Sequence, residues 1–255
     1  MSRMLWERLR PMRAIAILAG IPLVMWLGQT VLLRAAGLPL RWRISAADLP
    51  RPFKRINRAV TYAALVAALG LYPLLRGYSP LEFYAQFFPL DRRPRELLHG
   101  GAAAILYLAL LYLAWVLTDN VRCEVRHGAA RLARRLAGVP PTALLVALVE
   151  ELLFRAVLLA ELLESLPAWA AIPIGVGVFA GAHYIRSVKR YWTFPGHLAL
   201  GTLLCLSFYW TRALWLPVGL HAGGVVVLMG VRPFVRYCGP AWLVGASIFP
   251  YAGVV

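Results

Sequence analysis

Charged residues and cysteines are scarce in this sequence. Charged side chains make up 15% of the 255 residues, compared with about 25% in an average soluble protein, and hydrophobic residues make up 61%. An ordinary soluble globular protein is therefore excluded. The three cysteines form an odd and scattered set, Cys123, Cys205 and Cys238, which excludes a disulfide framework and the spacing of a thiolate metal site. Cys205 lies in an apolar run and is expected to pack in the interior.

Acidic residues are much scarcer than basic ones. There are 11 Asp and Glu against 27 Lys and Arg, and the net charge is +16. Nearly all basic residues lie in short segments between apolar runs, which is typical of loops facing anionic lipid and the cytoplasm rather than of a nucleic-acid-binding surface. Alternate loops hold 17 of them and the opposite loops nine, which favours a cytoplasmic position for the loops before the fourth and after the fifth span. We expect an integral protein of the prokaryotic cytoplasmic membrane, with the lipid bilayer as a partner and no nucleic acid.

Long apolar runs predict an all-α, polytopic helical membrane protein with about eight transmembrane helices. Runs of about 17–25 apolar residues are long enough to cross a bilayer as helices. The last run is short and contains a proline, so seven spans is the alternative. The expected regions are N-terminal helices and basic loops (1–140), a helical core (141–230) and a C-terminal span (231–255). The predicted spans are 14–33, 59–75, 101–118, 141–163, 169–185, 197–211, 213–230 and 242–255.

The fourth predicted span contains three charged residues, Glu150, Glu151 and Arg155. A charged side chain near the centre of a spanning helix costs roughly 2.5–3.5 kcal/mol on insertion scales, so a cluster of three indicates a functional site. In a regular helix Glu151 and Arg155, four residues apart, lie on nearly one face and can form an ion pair. Glu150 points about a third of a turn away and is expected to face a cavity, where it could take a proton from water. A purely architectural ion pair is the alternative, but it leaves Glu150 unexplained.

Two histidines lie in later spans and are flanked by small residues, which allow close packing or the close approach of a substrate. His183 lies at the end of the fifth predicted span, and His221 lies inside the seventh. A lone membrane histidine is usually a helix–helix hydrogen-bonding group, but two histidines that accompany a Glu-Glu pair favour a catalytic role. His197, at a membrane boundary, is a weaker candidate for the site.

These motifs resemble those of the CAAX protease and bacteriocin-processing (Abi) family of intramembrane endopeptidases. The resemblance covers roughly residues 142–228, and the first three spans carry no recognised motif. The matching pattern is Glu-Glu-x-x-x-Arg at Glu150, Glu151 and Arg155, then Phe-x-x-x-His at Phe179 and His183, then a late histidine at His221.

The resemblance implies that a glutamate-activated water attacks a peptide bond of a membrane-anchored or hydrophobic-tail substrate. Glu150 would be the general base, and Glu151 with Arg155 would orient it. His183 would hold the water, and His221 would stabilise the tetrahedral intermediate. The sequence departs from the family at Val225, four residues after His221, where members usually have Asn or a similar polar residue.

No cofactor is expected, although zinc is the minority alternative. Glu150, His183 and His221 offer the carboxylate and imidazole groups that zinc binds. The His-Glu-x-x-His motif is lacking and Glu151 already has an ionic partner, so a metal-free glutamate mechanism is favoured.

Two other classes of function compete with the protease. A proton-coupled transporter could use Glu150, His183 and His221 as a relay, but the sequence has no inverted repeat and no paired broken helices. A non-catalytic scaffold or bacteriocin-immunity protein on the same fold is favoured by Val225. The prediction is therefore an intramembrane endopeptidase, with CAAX-type or C-terminal sorting-tail processing both compatible.

Overall fold

The computed structural model describes residues 10–39, 50–90, 94–125, 128–184 and 193–244. Helices dominate these segments, which confirms the all-α class. The helices are α1 (Arg10–Ala35), α2 (Arg51–Leu75), α3 (Pro80–Ala85), α4 (Arg95–Leu117), α5 (Ala129–Ala137), α6 (Val139–Glu151), α7 (Ala160–Ser165), α8 (Ala168–Tyr184), α9 (Thr193–Thr211), α10 (Trp215–Val231) and α11 (Ala241–Val244). A π-helix, Leu152–Leu159, joins α6 to α7, and a 3-10 helix, Arg232–Phe234, follows α10. There are two short strands, β1 (Val121–Cys123) and β2 (Val235–Tyr237).

Several helices are apolar enough to cross a membrane. Within the described segments three have the length and composition of a span, Pro52–Leu75, Arg95–Leu117 and Trp215–Phe234, and two shorter apolar helices cover Ala19–Ala35 and Ala168–His183. The helix α2 begins at Arg51, before the second predicted span, with a proline in its first turn. An apolar window misses that polar first part. The last predicted span, 242–255, overlaps α11 and otherwise lies outside the described residues.

One continuous helical rod carries the charged cluster. It consists of α6, the π-helix and α7, and the π-helix begins directly after Glu151. The sequence predicted a regular α-helix here, so the rod is helical as expected but wider over eight residues. Seven of those eight residues are buried, and five of the seven belong to the main core together with residues of α8 and α9. Such π-helical turns are rare and occur frequently at functional sites.

Glycines allow α4 and α10 to pack with their backbones in contact. A Cβ atom on Gly100 would lie 2.7 Å from the carbonyl oxygen of Leu216, and one on Gly223 would lie 2.5 Å from that of Gly101. A Cβ atom on Gly219 would overlap the backbone of α4. Small residues are the usual means by which membrane helices approach this closely. The position of α10, which carries His221, is therefore fixed by this contact.

The two-stranded sheet was not predicted. β1 follows α4, β2 follows α10, and the strands pair antiparallel with Val121 opposite Tyr237 and Cys123 opposite Val235. The hydroxyl groups of Tyr112 and Tyr237 lie 2.7 Å apart and connect β2 to α4. Strands of three residues joined across more than a hundred residues leave no local pattern in a sequence.

A second charged cluster lies at the far end of the rod. Arg76, at the end of α2, forms an ion pair with the buried Glu161 of α7, and its other terminal nitrogen lies 3.6 Å from Glu164. A cavity of about 350 Å³ borders this cluster and is also lined by Arg212. None of the predicted site residues lines that cavity.

Candidate active site

The buried half of the site is a three-residue charge network centred on Glu151. Arg155, one turn later, donates from Nη1 to Oε1 of Glu151 at 3.1 Å, which confirms the predicted ion pair. His221 of α10 contacts the same oxygen through Nδ1 at 2.7 Å. The side chains of Glu151 and Arg155 are both 0% exposed. Charges this deeply buried persist only when they are paired and hydrogen-bonded, and His221 supplies a bond that the sequence did not reveal.

The more accessible half of the site is centred on Glu150. Its Oε2 lies 3.1 Å from Nε2 of His183 and 3.7 Å from Nε2 of His221, and its side chain is 23% exposed. The structure therefore brings together all five predicted site residues, from α6, the π-helix, α8 and α10. Glu150 lies eleven residues after the start of α6, about 17 Å along the helix axis.

The hydrogen bonds of His183 restrict where protons can be. Its Nδ1 lies 2.8 Å from the carbonyl oxygen of Phe179, which can only accept, so Nδ1 carries a hydrogen. The contact between Nε2 and Glu150 needs a second hydrogen, held either by the imidazole or by the carboxyl group. The Glu150–His183 pair thus shares one proton beyond the Nδ1 hydrogen.

The hydrogen bonds of His221 place its ring hydrogens differently from those of His183. Glu151 pairs with the guanidinium group of Arg155, and as a carboxylate it accepts a hydrogen bond from Nδ1 of His221. In a neutral imidazole, Nε2 of His221 then carries a lone pair. That atom faces Glu150 at 3.7 Å, too far for a direct hydrogen bond.

Aromatic rings form one wall of the site. Phe179 lies with its ring 4.5 Å from the guanidinium carbon of Arg155 and 4.5 Å from the ring of His183. The first contact is a cation–π interaction, which stabilises a buried guanidinium. Phe154 packs edge-on against Phe179, with ring centres 5.2 Å apart. Phe179 therefore supports Arg155 with its face and His183 with its carbonyl oxygen.

His197, the weaker candidate in the sequence, also lies in the site. Its ring stacks on that of His183 with centres 4.6 Å apart and an interplanar angle of 28°. It is buried near the start of α9, and Phe179 lies beside both rings. The Gly196-His197 position at a helix start was the available signal.

Val225, one turn after His221, is partly buried as an apolar residue of α10.

Some polar atoms of the network have no partner in the described part of the chain. They are Oε2 of Glu151 and the Nε and Nη2 atoms of Arg155, all of them buried. An unpaired buried polar atom costs about 1–3 kcal/mol, so sites of this kind are retained for a function or satisfied by ordered water.

The donor set is chemically suitable for zinc, but its arrangement is not. Within the segments that the structure describes, no group of three or more His, Cys, Asp or Glu side chains is placed to hold a metal ion. Glu150 and His183 instead bond to each other. As the structure places them, these residues do not form a zinc site.

Comparisons with known proteins agree with the motifs. Residues 133–227 match a family model described as Type II CAAX prenyl endopeptidase Rce1-like. No curated protein and no solved structure gives a significant match. The matched segment contains every predicted site residue, and the apolar helices agree with an integral membrane protein. The resemblance to the CAAX protease family is thereby confirmed over residues 133–227, the part of the chain that carries the site.

Proposed function

We propose that this protein is an intramembrane endopeptidase in which Glu150 activates the attacking water. The family match supports a CAAX-type intramembrane protease at the level of the family. The observation that carries the finer proposal is the position of Glu150, whose carboxylate meets two imidazole Nε2 atoms at the accessible edge of a buried charge network.

The proposed reaction starts from one charge state of the site. Glu151 and Arg155 neutralise each other, the Glu150–His183 pair is neutral wherever its shared proton lies, and the reaction starts from the form in which His183 holds that proton. With His221 neutral, the whole site carries no net charge, which is favourable in a medium of low dielectric constant. Glu150 is then a carboxylate ready to accept a proton.

Water would bind between Glu150 and His221. A water molecule can span the 3.7 Å between Oε2 and Nε2 from one side and donate to both atoms. Glu151 keeps the lone pair of His221 aimed at this position by holding the Nδ1 hydrogen. This assignment exchanges the histidine roles that the family resemblance implies, because a neutral His221 has no Nε2 hydrogen to give to an oxyanion.

The proposed reaction has two steps, water attack and cleavage of the C–N bond. As the water oxygen bonds to the scissile carbonyl carbon, one water proton passes to Glu150, and the carbonyl π electrons move to the oxygen as an oxyanion. His183, no longer facing a carboxylate, donates a hydrogen bond from Nε2 to that oxyanion and keeps its hydrogen. The oxyanion then reforms the carbonyl, the C–N bond breaks, and Glu150 gives its proton to the leaving nitrogen.

The substrate would be a membrane-anchored protein or a peptide with a hydrophobic tail. Glu150 lies about 17 Å from the start of α6, a depth that an extended tail can reach from the bilayer surface. CAAX-type processing and removal of a C-terminal sorting tail both supply such a substrate. The prokaryotic cytoplasmic membrane is the location we propose.

The test is proteolysis by the purified protein in liposomes against a panel of tagged membrane-tail peptides. Wild type, Glu150→Gln and His183→Ala would be compared with and without a chelator. Glu164→Gln is the matched control, because it removes a carboxylate from the far end of the same rod. Cleavage that survives the chelator and Glu164→Gln, and is lost in both site variants, supports the proposal. Loss with chelator and recovery with zinc would replace it by a metal mechanism.

Val225 favours one alternative, a non-catalytic scaffold or immunity protein on the same fold. A valine cannot donate a hydrogen bond, and losing one oxyanion donor lowers rates by about 100- to 1000-fold. If the wild type cleaves no peptide while Glu150→Gln retains the cellular phenotype, the scaffold is the correct assignment.

A further inference from the structure

The small sheet carries two arginines in an unfavourable arrangement. Arg122 of β1 lies directly opposite Arg236 of β2. Residues directly opposite in an antiparallel pair project from the same face with their Cβ atoms about 4.5–5.5 Å apart, and like charges there are destabilising. Both side chains are exposed, whereas the neighbouring Val121 and Val235 are buried. The arginine face of the sheet is therefore the outer one.

Within the described residues, no carboxylate forms an ion pair with Arg122 or Arg236. Glu124 lies two residues after Arg122, and its backbone N–H donates to the carbonyl oxygen of Phe234. Each guanidinium group presents its N–H donors in a planar fork that matches a phosphate group, and the register places two such groups on one face of the sheet.

The position of the sheet relative to the membrane indicates that this phosphate belongs to a lipid. β1 begins four residues after the end of α4, and β2 begins four residues after the end of α10. Both helices have the length and composition of membrane spans, so the two arginines lie just beyond the apolar core, at the level of the lipid headgroups. The buried Trp115 and the Tyr112–Tyr237 contact hold the sheet against the ends of these helices.

The neighbouring surface has the same sign of charge. The exposed helix α5 begins six residues after β1 and carries Arg131, Arg134 and Arg135, and the exposed Arg232 follows α10. Such clusters next to a span attract the anionic lipids of the cytoplasmic leaflet. We propose that Arg122 and Arg236 form a clamp that binds the phosphate of an anionic phospholipid, and that α5 contributes general attraction around it.

The experiment is a lipid titration of the full-length protein in neutral detergent, with bound lipid counted by native mass spectrometry. The probes are phosphatidylglycerol and phosphatidylcholine. Each arginine near an anionic membrane contributes about fivefold to affinity, so Arg122→Gln with Arg236→Gln should weaken phosphatidylglycerol binding by about 30-fold. Both residues are exposed, so the fold should survive. Phosphatidylcholine binding should be weak and unchanged.

A second double variant separates a clamp from general surface charge. Arg131→Gln with Arg135→Gln removes the same charge from α5 and should weaken binding by clearly less than the clamp variant. Equal losses in the two variants would overturn the clamp, as would equal binding of the two lipids by the wild type. Competition by inorganic phosphate at concentrations comparable to the lipid would overturn the assignment to a phospholipid. None of these outcomes depends on proteolytic activity.

Discussion

His221 contacts Oε1 of Glu151 at 2.7 Å, and this bond gives the two adjacent glutamates different surroundings. Glu151 is enclosed by Arg155 and His221 and has no exposed surface. Glu150, one residue earlier, is the member of the pair that a water molecule and a substrate can reach. The division can be tested by asking which glutamate affects stability and which affects rate.

Glu151→Gln should lower both stability and activity, whereas Glu150→Gln should lower activity alone. The first change leaves the charge of Arg155 buried without its partner, which costs about 3–5 kcal/mol. The second changes a partly exposed group. Thermal unfolding in detergent, measured beside the cleavage assay, checks both variants. Equal stability of the two variants would contradict the division.

His197→Ala should lower kcat by roughly 10- to 100-fold with little change in KM, because the stacked ring holds His183 in its orientation. His197→Phe retains a flat ring and should recover most of the loss. If His197→Phe is as inactive as His197→Ala, the residue acts through its nitrogens rather than by stacking.

Gly219→Ala should destabilise the protein by about 1–3 kcal/mol and abolish cleavage, because the added methyl group forces α10 away from α4 and moves His221. Gly230→Ala, in the same helix, is the control, since nothing lies within 4 Å of its Cβ position. Unfolding in detergent and the cleavage assay measure both effects. A tolerated Gly219→Ala would show that the close helix contact does not position the histidine.

Arg76→Met should destabilise the protein by about 3–5 kcal/mol, because Glu161 is only 2% exposed and would remain as an unpaired buried carboxylate. The double variant Arg76→Met with Glu161→Leu should lose clearly less, since no charge is then left buried. Arg232→Met, at an exposed position, is the control. A double variant as unstable as Arg76→Met would mean that packing of the arginine stem, not the ion pair, matters here.

Val225→Asn should raise kcat, by up to roughly 100-fold, if the site operates with one oxyanion donor fewer than its relatives. The substitution places an amide one turn after His221 on α10. Single-turnover cleavage is the measurement. An unchanged rate would indicate that another group, with His183 as the candidate from the geometry, already supplies the hydrogen bond.

The sequence identified the charged residues of the candidate site but not the π-helix that follows Glu151. Charged residues in an apolar run are informative because burial is costly, so Glu150, Glu151 and Arg155 were evident without a structure. The π-helix was not evident, since it depends on tertiary packing of Leu152–Leu159 and no residue type specifies it. The contact of His221 with Glu151 joins residues 70 positions apart, and a single sequence contains no information on such pairs.

The local pair of Glu151 and Arg155 also has a consequence for biogenesis. A helix is inserted into the bilayer as it is synthesised, long before α8 and α10 exist to cover it. Arg155 reaches Glu151 within one turn of the same rod, so the two charges of the emerging segment neutralise each other. The segment can therefore remain in the bilayer until α8 and α10 are inserted. The arrival of His221 then completes a site whose costliest ions are already paired.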